Sequence, residues 1–186
     1  TEAYCRHRLV TMFGDQASQW NLRWSPTDHQ GPLVVSAIEN EWLREIQTIF
    51  SGRLQRLRSV QPYLMTAFNA HYKALARRSC WFVAYEPGRL AICLLHNGQW
   101  KTIANRRADD SWQDRLPSLL DHESQLIAMD EECREVMVHA PGIRKLTDVE
   151  AGYYNFRLLE FASDPAISQA DSSHYLMALD DMRHHA

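Results

Sequence analysis

The residues best suited to chemistry lie in a turn between two apolar strands, within VAYEPGRLAICLLHNGQW (residues 83–100). Glu86 could hold a metal ion, and Gly88 and Arg89 could approach a phosphate. Glycine lets backbone N–H groups face an anion, and carboxylates bind Mg²⁺. Pro87 removes one backbone donor and stiffens the turn. The pattern therefore fits either a weak nucleotide site or a plain turn that keeps the same architecture.

Carboxylates are missing from the strands that a two-metal nuclease would use. Such an enzyme needs several carboxylates converging on its metals. The predicted strands 80–85, 90–95 and 100–105 contain no Asp or Glu. Acidic residues cluster instead at predicted element ends, at 109–110 and 130–132, where helix caps and solvated turns are usual. The sequence thus argues against metal-dependent nucleic-acid cleavage.

Other catalytic and metal-binding signatures are absent from the sequence. It contains no G-x-S-x-G elbow, no P-loop and no G-x-G-x-x-G segment. The four cysteines show no C-x-x-C spacing, and the nine histidines form no H-x-x-x-H pair. We therefore expect no catalytic residue and no structural metal. Buried, reduced thiols would suit a cytoplasmic location.

Charge and hydropathy argue against two further classes of partner. The formal net charge of −3 gives no general attraction to nucleic acid or to an anionic membrane, although Arg53, Arg56 and Arg58 form a local basic patch. No apolar run approaches the roughly 20 residues that span a bilayer, so we expect no membrane insertion. Because the chain begins with Thr, we expect an upstream part, with the N-terminal strands of a first lobe, to be missing.

The first 78 residues are predicted to alternate between strands and helices. Strands are expected at 4–13, 20–24, 33–38 and 57–60, the third of them buried on both faces. Helices are expected over 40–50, with Asn40 as the N-cap, and over 63–76. Because the later part has the order β-α-β-α, its strands are expected to be parallel.

Residues 80–105 predict three short strands in an antiparallel meander. Pro87-Gly88 suits the centre of a type II turn, and Asn97-Gly98 favours a type I′ hairpin. The segment LAICLL (90–95) is apolar on both faces, so it should be the central strand of the meander. A helix over 110–126, kinked or split by Pro117, and a strand over 134–139 are expected to follow. The resulting order is β-β-β-α-β.

Aromatic residues late in the chain suggest a surface for a protein partner. Aromatic side chains are common anchors of protein interfaces. The candidate interface residues are Trp112, Tyr153, Tyr154, Phe156 and Phe161. Asp164-Pro165 interrupts the aromatic stretch, and an amphipathic helix is predicted over 166–182.

The element order resembles that of the RNase H-like, actin-like superfamily, an α/β fold with a mixed sheet. More narrowly, the chain resembles the PilM and GspL group, actin-like cytoplasmic proteins that organise type IV pilus and type II secretion assembly. The segments that carry the resemblance are residues 33–62, 81–107 and 136–143, within a match over roughly 5–160. The resemblance implies a first α/β lobe over 1–78, a second RNase H-like lobe over 79–162 and a helical tail over 163–186.

The resemblance also implies a nucleotide site that has degenerated. Actin-like ATPases hold nucleotide with two D-x-G-type turns and a glycine-rich adenosine segment. The turn with Glu86, Gly88 and Arg89 resembles the second phosphate turn but lacks its Asp and one glycine. Gly142, in Ala140-Pro141-Gly142, stands where paired glycines are expected. We therefore expect no bound cofactor, with ATP binding as the alternative.

The function that the resemblance implies is that of a non-catalytic scaffold. Such a protein would dock components of an inner-membrane assembly complex in the cytoplasm, with no role for nucleic acid. The sequence leaves a homodimer open. The main alternative is an active, nucleotide-dependent protein of the same superfamily. A third interpretation is a binding domain of a bacterial regulator with an unrelated α/β fold, in which the meander does not pack beside strand 33–38.

Overall fold

The chain forms two compact units, residues 1–62 and 63–186. The computed structural model describes residues 2–24, 33–51, 57, 59–127, 133–146 and 153–160. The helix predicted over 166–182 and the interface candidate Phe161 lie outside the described residues. The helix that begins at Tyr63 belongs to the same unit as the meander.

The first unit begins with a helix where the sequence predicted a strand. Helix α1 spans Glu2–Phe13, followed by a 3₁₀ helix over Asp15–Gln19. The strand prediction for residues 4–13 was wrong because short apolar runs fit either period. An ion pair of 3.0 Å joins Arg6 to Glu2 one helical turn earlier. Arg6 also donates to the Ser18 carbonyl at 2.7 Å, which ties the helix to the following segment.

A β-hairpin and a helix complete the described part of the first unit. Strands β1 (Trp20–Trp24) and β2 (Val35–Glu39) pair antiparallel as a two-stranded sheet. β2 is half-exposed, so the prediction of a strand buried on both faces was wrong. Helix α2 spans Asn40–Phe50 as predicted, but Glu39 occupies the cap position. The Asn40 amide instead donates to the Gln19 carbonyl at 2.5 Å.

The predicted β-α-β-α order is not found in this unit. The described residues among 57–60 lie in no strand. β2 pairs with β1 and therefore lies outside the sheet that holds the meander. The helix predicted over 63–76 is two shorter ones, α3 (Tyr63–Ala70) and α4 (Tyr72–Leu75), separated at His71.

A five-stranded mixed sheet forms the centre of the second unit. Its strands are β3 (Cys80–Glu86), β4 (Arg89–His96), β5 (Gln99–Arg107), β6 (Glu135–His139) and β7 (Asn155–Leu158). The strand order is β5-β4-β3-β6-β7. The first three strands pair antiparallel, β6 pairs parallel with β3, and β7 pairs parallel with β6. The predicted meander and the order β-β-β-α-β are thereby confirmed.

Tight turns connect the meander as the sequence predicted. Asn97 and Gly98 both have positive φ, 51° and 76°, which the type I′ turn requires. Gly88 has φ 84°, as expected at the third position of a type II turn. These dihedral angles place each strand directly beside the preceding one.

Helices cover both faces of the sheet because its central strands, β3 and β4, carry apolar side chains on both faces. On one face, helix α5 (Trp112–Ile127) packs Leu116 and Leu120 against the sheet. On the other, Phe68 of α3 packs against Phe82 and Trp100. Each fully buried large apolar side chain contributes roughly 1.5–3 kcal/mol. The predicted class, a mixed α/β sheet flanked by helices, is confirmed.

A part-buried ion pair fixes helix α5 to the edge strand. Glu123 is 3% exposed and binds the Arg106 guanidinium, which reaches in from β5. Pro117 lies inside this helix and does not split it, so of the two predicted effects the split is wrong and the kink stays a prediction. None of the helices in the described ranges has the length and apolar character that a membrane crossing demands.

Candidate functional site

The carboxyl ends of four strands meet at one edge of the five-stranded sheet. β3, β6 and β7 run parallel, and β5 shares their direction because β4 is antiparallel to both β3 and β5. In open α/β sheets, ligands bind at this edge. We call it the carboxyl edge.

The predicted nucleotide-site residues lie together at the carboxyl edge. Ala84 of β3 pairs with His139 of β6, so the chain leaves both strands at the same level. The turn after β3 therefore brings Glu86, Gly88 and Arg89 to this edge, and the turn after β6 brings Gly142. The topology makes neighbours of segments about 50 residues apart, which the sequence could suggest only through a resemblance.

The hairpin at this edge is a closed turn. Glu86 and Arg89 are cross-strand partners on either side of Pro87-Gly88. The Gly88 carbonyl accepts a hydrogen bond of 3.1 Å from the Ala108 N–H, which extends the ladder to β5. An added Cβ at Gly88 would meet no atom within 4 Å, so the positive φ alone accounts for glycine here.

A buried chain of hydrogen bonds lies just inside the carboxyl edge. The Tyr63 hydroxyl donates to the Tyr85 carbonyl at 2.9 Å. It lies 3.1 Å from His139 Nε2, and His139 Nδ1 lies 3.0 Å from His71 Nε2. His139 is 1% exposed and His71 is 7% exposed. The chain joins helix α3, the residue between α3 and α4, and the ends of β3 and β6.

The direction of each hydrogen bond follows from the first. Because the Tyr63 hydroxyl donates to a carbonyl, its oxygen accepts from His139 Nε2–H. His139 Nδ1 is then the acceptor for His71 Nε2–H. Both rings can stay neutral, which avoids a buried charge. Burial, and secondarily the negative charge of Glu86, raises the pKa of Tyr63. The hydroxyl therefore remains a donor at neutral pH.

This arrangement ties helix α3 and the residue that follows it to the ends of β3 and β6. The Tyr63 hydroxyl, both ring nitrogens of His139 and Nε2 of His71 each lie within hydrogen-bond distance of a neighbour. Within the described ranges, no three His, Cys, Asp or Glu side chains are grouped so that they could hold a metal ion. Asp109, at the start of α5, accepts from Ser111 and binds Arg115, so its carboxylate caps that helix. Its hydrogen bonds with Ser111 lower the pKa of Asp109.

The predicted interface residues do not form one exposed cluster. Trp112 is 2% exposed and stacks on Tyr85, with ring centroids 4.8 Å apart. Tyr154 is buried and donates to Asp121 at 2.8 Å, while Phe156 is half-buried against the same core. Tyr153 is 43% exposed, with the Arg134 guanidinium 4.5 Å from its ring centre. Of the four described candidates, Tyr153 alone is exposed.

Sequence reasoning missed the histidine pair and the buried glutamate. His139 follows three apolar residues, and such a histidine at the end of a buried strand is a usable signal. His71 gave no comparable sign, since it lay in a helical pattern beside Tyr72. Glu123 looked like an ordinary exposed charge, and only the packing of α5 against β5 identifies its partner.

Comparisons with known proteins add a likeness of fold. No family model matches the chain, and no curated protein matches it. Solved structures do match, among them a protein from Bacteroides thetaiotaomicron VPI-5482 with an actin-like ATPase fold and unknown function. The two chains share 14% sequence identity at a TM-score of 0.47. The match covers 77% of this chain and 53% of that one, so the chain spans about half of that protein's length.

Proposed function

We propose that this chain is a non-catalytic protein-interaction domain with an actin-like fold and a degenerate nucleotide site. We place it in the cytoplasm, as a scaffold of a pilus or type II secretion assembly platform at the inner membrane. The observation that carries the proposal is the hydrogen-bonded chain Tyr63–His139–His71, which fixes helix α3 onto the carboxyl edge. The PilM-like and GspL-like sequence pattern supplies the cellular context.

The chemistry of the edge supports a structural role for the hairpin. Glu86 lies opposite Arg89 across the turn, so its charge faces a cation of the same hairpin. Pro87 supplies no N–H to a phosphate. The Gly88 carbonyl is bonded to Ala108, which holds the turn against β5. These contacts stabilise a turn, and none requires a nucleotide.

An active nucleotide-binding protein is the second candidate. The observation in its favour is that the 86–89 hairpin and the 140–142 turn share one edge, as two arms of a phosphate and adenosine site would. Arg89 would then bind a phosphate, and Glu86 would hold Mg²⁺ through water. In that case ATP would be the cofactor.

Thermal unfolding with and without MgATP separates the two candidates. A ligand at 100 times its Kd stabilises the folded state by about 2.7 kcal/mol, which raises Tm by several degrees. We expect no rise in Tm with about 5 mM MgATP, a concentration that would saturate any site with a micromolar Kd. Mg²⁺ alone and MgADP serve as controls. A rise that disappears in Arg89→Ala would overturn the proposal in favour of the ATP-binding candidate.

Site-specific crosslinking in cells that carry the gene tests the cellular role. A photoreactive residue placed at exposed Tyr153 should capture inner-membrane assembly proteins or their cytoplasmic ATPase. The same residue at buried Trp112 is the matched control, because it should capture nothing outside the chain. Captured products limited to metabolic enzymes would count against a role in assembly.

A further inference from the structure

The outer side of β5 is an open sheet edge. β5 runs over Gln99–Arg107, nine residues, and it is the terminal strand of the five-stranded order. It pairs with β4 on one side, and no strand among the described residues pairs with the other. Its odd-numbered residues are exposed along its whole length. An open edge of this length presents a row of backbone donors and acceptors to another extended chain.

Two arginines meet on the exposed face at the end of this edge. Arg107 of β5 lies directly opposite Arg89 of β4, and both are exposed. Like charges in this arrangement destabilise a sheet. In the described part of the chain, no side-chain hydrogen bond or ion pair is found for either arginine. Glu86 of β3 lies opposite Arg89 on the other side of β4, yet no ion pair joins these two side chains, and Arg107 has no acid opposite it on β4.

An apolar side chain lies between these arginines and the middle of the strand. Ile103 is 37% exposed and shares the face of Arg107, because the two are four residues apart on a strand. Its partner Cys93 is buried under helix α3. The edge thus offers an apolar contact at its centre and an unneutralised positive pair at its end.

We propose that the outer edge of β5 binds an extended, acidic segment of a partner protein by strand addition. The backbone of the segment would continue the sheet beyond β5, and an apolar side chain would cover Ile103. A carboxylate would bind Arg107 and Arg89 and remove their mutual repulsion. In peptide recognition of this kind, main-chain hydrogen bonds supply affinity and side-chain contacts supply specificity. The inference rests on the proposed function and adds a second surface for it, at the opposite edge of the sheet from Tyr153.

A second copy of the chain is the less favourable occupant. Antiparallel self-pairing that uses all nine residues would centre on Ile103. Such pairing would place Lys101 of each copy opposite Asn105 of the other and diagonally next to its Arg107. It would bring these four cations together, and β5 contains no carboxylate. An acidic segment removes that repulsion instead.

Peptide binding to the full chain tests the proposal. The probe is a blocked nine-residue peptide of Thr and Val, with Glu placed to lie opposite Lys101 and Arg107 in antiparallel pairing. We expect binding by fluorescence anisotropy and an affinity about ten-fold weaker for Arg107→Glu, since an attractive exposed pair becomes repulsive. Arg157→Glu is the matched control, because Arg157 is exposed on β7 at the opposite edge of the sheet, and its affinity should be unchanged.

Methylated peptides distinguish strand addition from attraction by charge alone. In an added strand, alternate N–H groups point toward β5 and the others point away. Two versions of the probe, N-methylated at alternate positions, should therefore differ: one should lose binding and the other should keep it. Equal binding of both, or no binding of the parent peptide at about 1 mM, would overturn the proposal.

Two further measurements separate the possible failures. If the free chain sediments as a dimer that the peptide dissociates, the edge belongs to a second copy and the proposal is wrong. A rise in Tm with MgATP would refute the proposed function and leave the peptide result standing. If the peptide does not bind and MgATP does not raise Tm, only the proposal that the β5 edge binds a peptide is refuted.

Discussion

At the scale of single residues, the least expected feature is a pair of buried histidines that bind each other. His139 Nδ1 and His71 Nε2 are 3.0 Å apart, and His139 also reaches the Tyr63 hydroxyl. A buried polar group is tolerated when its hydrogen bonds are satisfied and costs stability when they are not. This series of hydrogen bonds therefore fixes helix α3, β3 and β6 in one arrangement.

Replacing His139, at the centre of the series of hydrogen bonds, should lower the free energy of unfolding more than replacing Tyr63, at its end. His139→Phe leaves His71 Nε2–H without its acceptor, and we expect a loss of about 2–3 kcal/mol in the free energy of unfolding. Tyr63→Phe leaves His139 Nε2–H without its acceptor, but this hydrogen bond is only part-buried, so we expect a smaller loss of about 1 kcal/mol. Urea unfolding of the two variants gives both numbers. Equal, negligible losses would show that the hydrogen bonds do not contribute to stability.

Tyr154 should make stability fall in alkaline solution. Burial first, and the Asp121 carboxylate after it, raise the pKa of Tyr154 from 10.0 to about 12. Because the folded pKa is above the unfolded one, this contribution is complete below pH 10 and is lost as the pH rises toward 12. Between pH 9 and pH 11.5, Tyr154→Phe should lose less unfolding free energy than the unchanged protein. Parallel losses in the two proteins would contradict this assignment.

At the scale of elements, two glycines with similar φ angles provide a matched pair in the hairpin turns. A Cβ at Gly98 would lie 2.5 Å from the Arg77 backbone nitrogen, whereas a Cβ at Gly88 would meet nothing within 4 Å. Gly88→Ala should therefore cost about 1 kcal/mol, the strain of a positive φ alone. Gly98→Ala should cost at least about 2 kcal/mol, because the backbone must also move. Equal midpoints in urea would rule out the close contact with Arg77.

Helices and strands were predictable where one period dominated. Asn97-Gly98 and Pro87-Gly88 are turn pairs whose dihedral preferences are local, so the meander followed from the sequence. Residues 4–13 were assigned the wrong period, because their apolar residues fit a strand as well as a helix. The break in the helix at His71 was also missed. The His71 side chain forms a hydrogen bond with His139 of β6, and the helical spacing of the apolar residues gives no sign of it.

At the scale of the whole molecule, the two units differ in how much apolar surface they bury. In the described residues, the first unit buries only Cys5, Ala17 and Leu22 among its apolar side chains, while two large clusters fill the second. Regions with few buried apolar contacts open at lower free energy. The first unit should therefore open before the second.

The cysteines report this order of unfolding. Burial raises the pKa of Cys80 to about 12 and also raises that of Cys93, so neither forms the reactive thiolate at neutral pH. In single-cysteine variants, Cys5 should react with a disulfide reagent at lower urea concentration than Cys93. Identical urea dependence would mean that the units unfold together.

The order and type of most elements in the second unit were determined by the sequence, because turn dihedrals, apolar alternation and helical spacing act over a few residues. The sequence also located the hairpin of Glu86, Gly88 and Arg89 and the turn of Gly142. Only the tertiary structure brought them to one edge, since strand order is set by packing between distant segments. The same packing buried Trp112, joined His71 to His139 across 68 positions, and left the outer edge of β5 without a partner strand among the described residues.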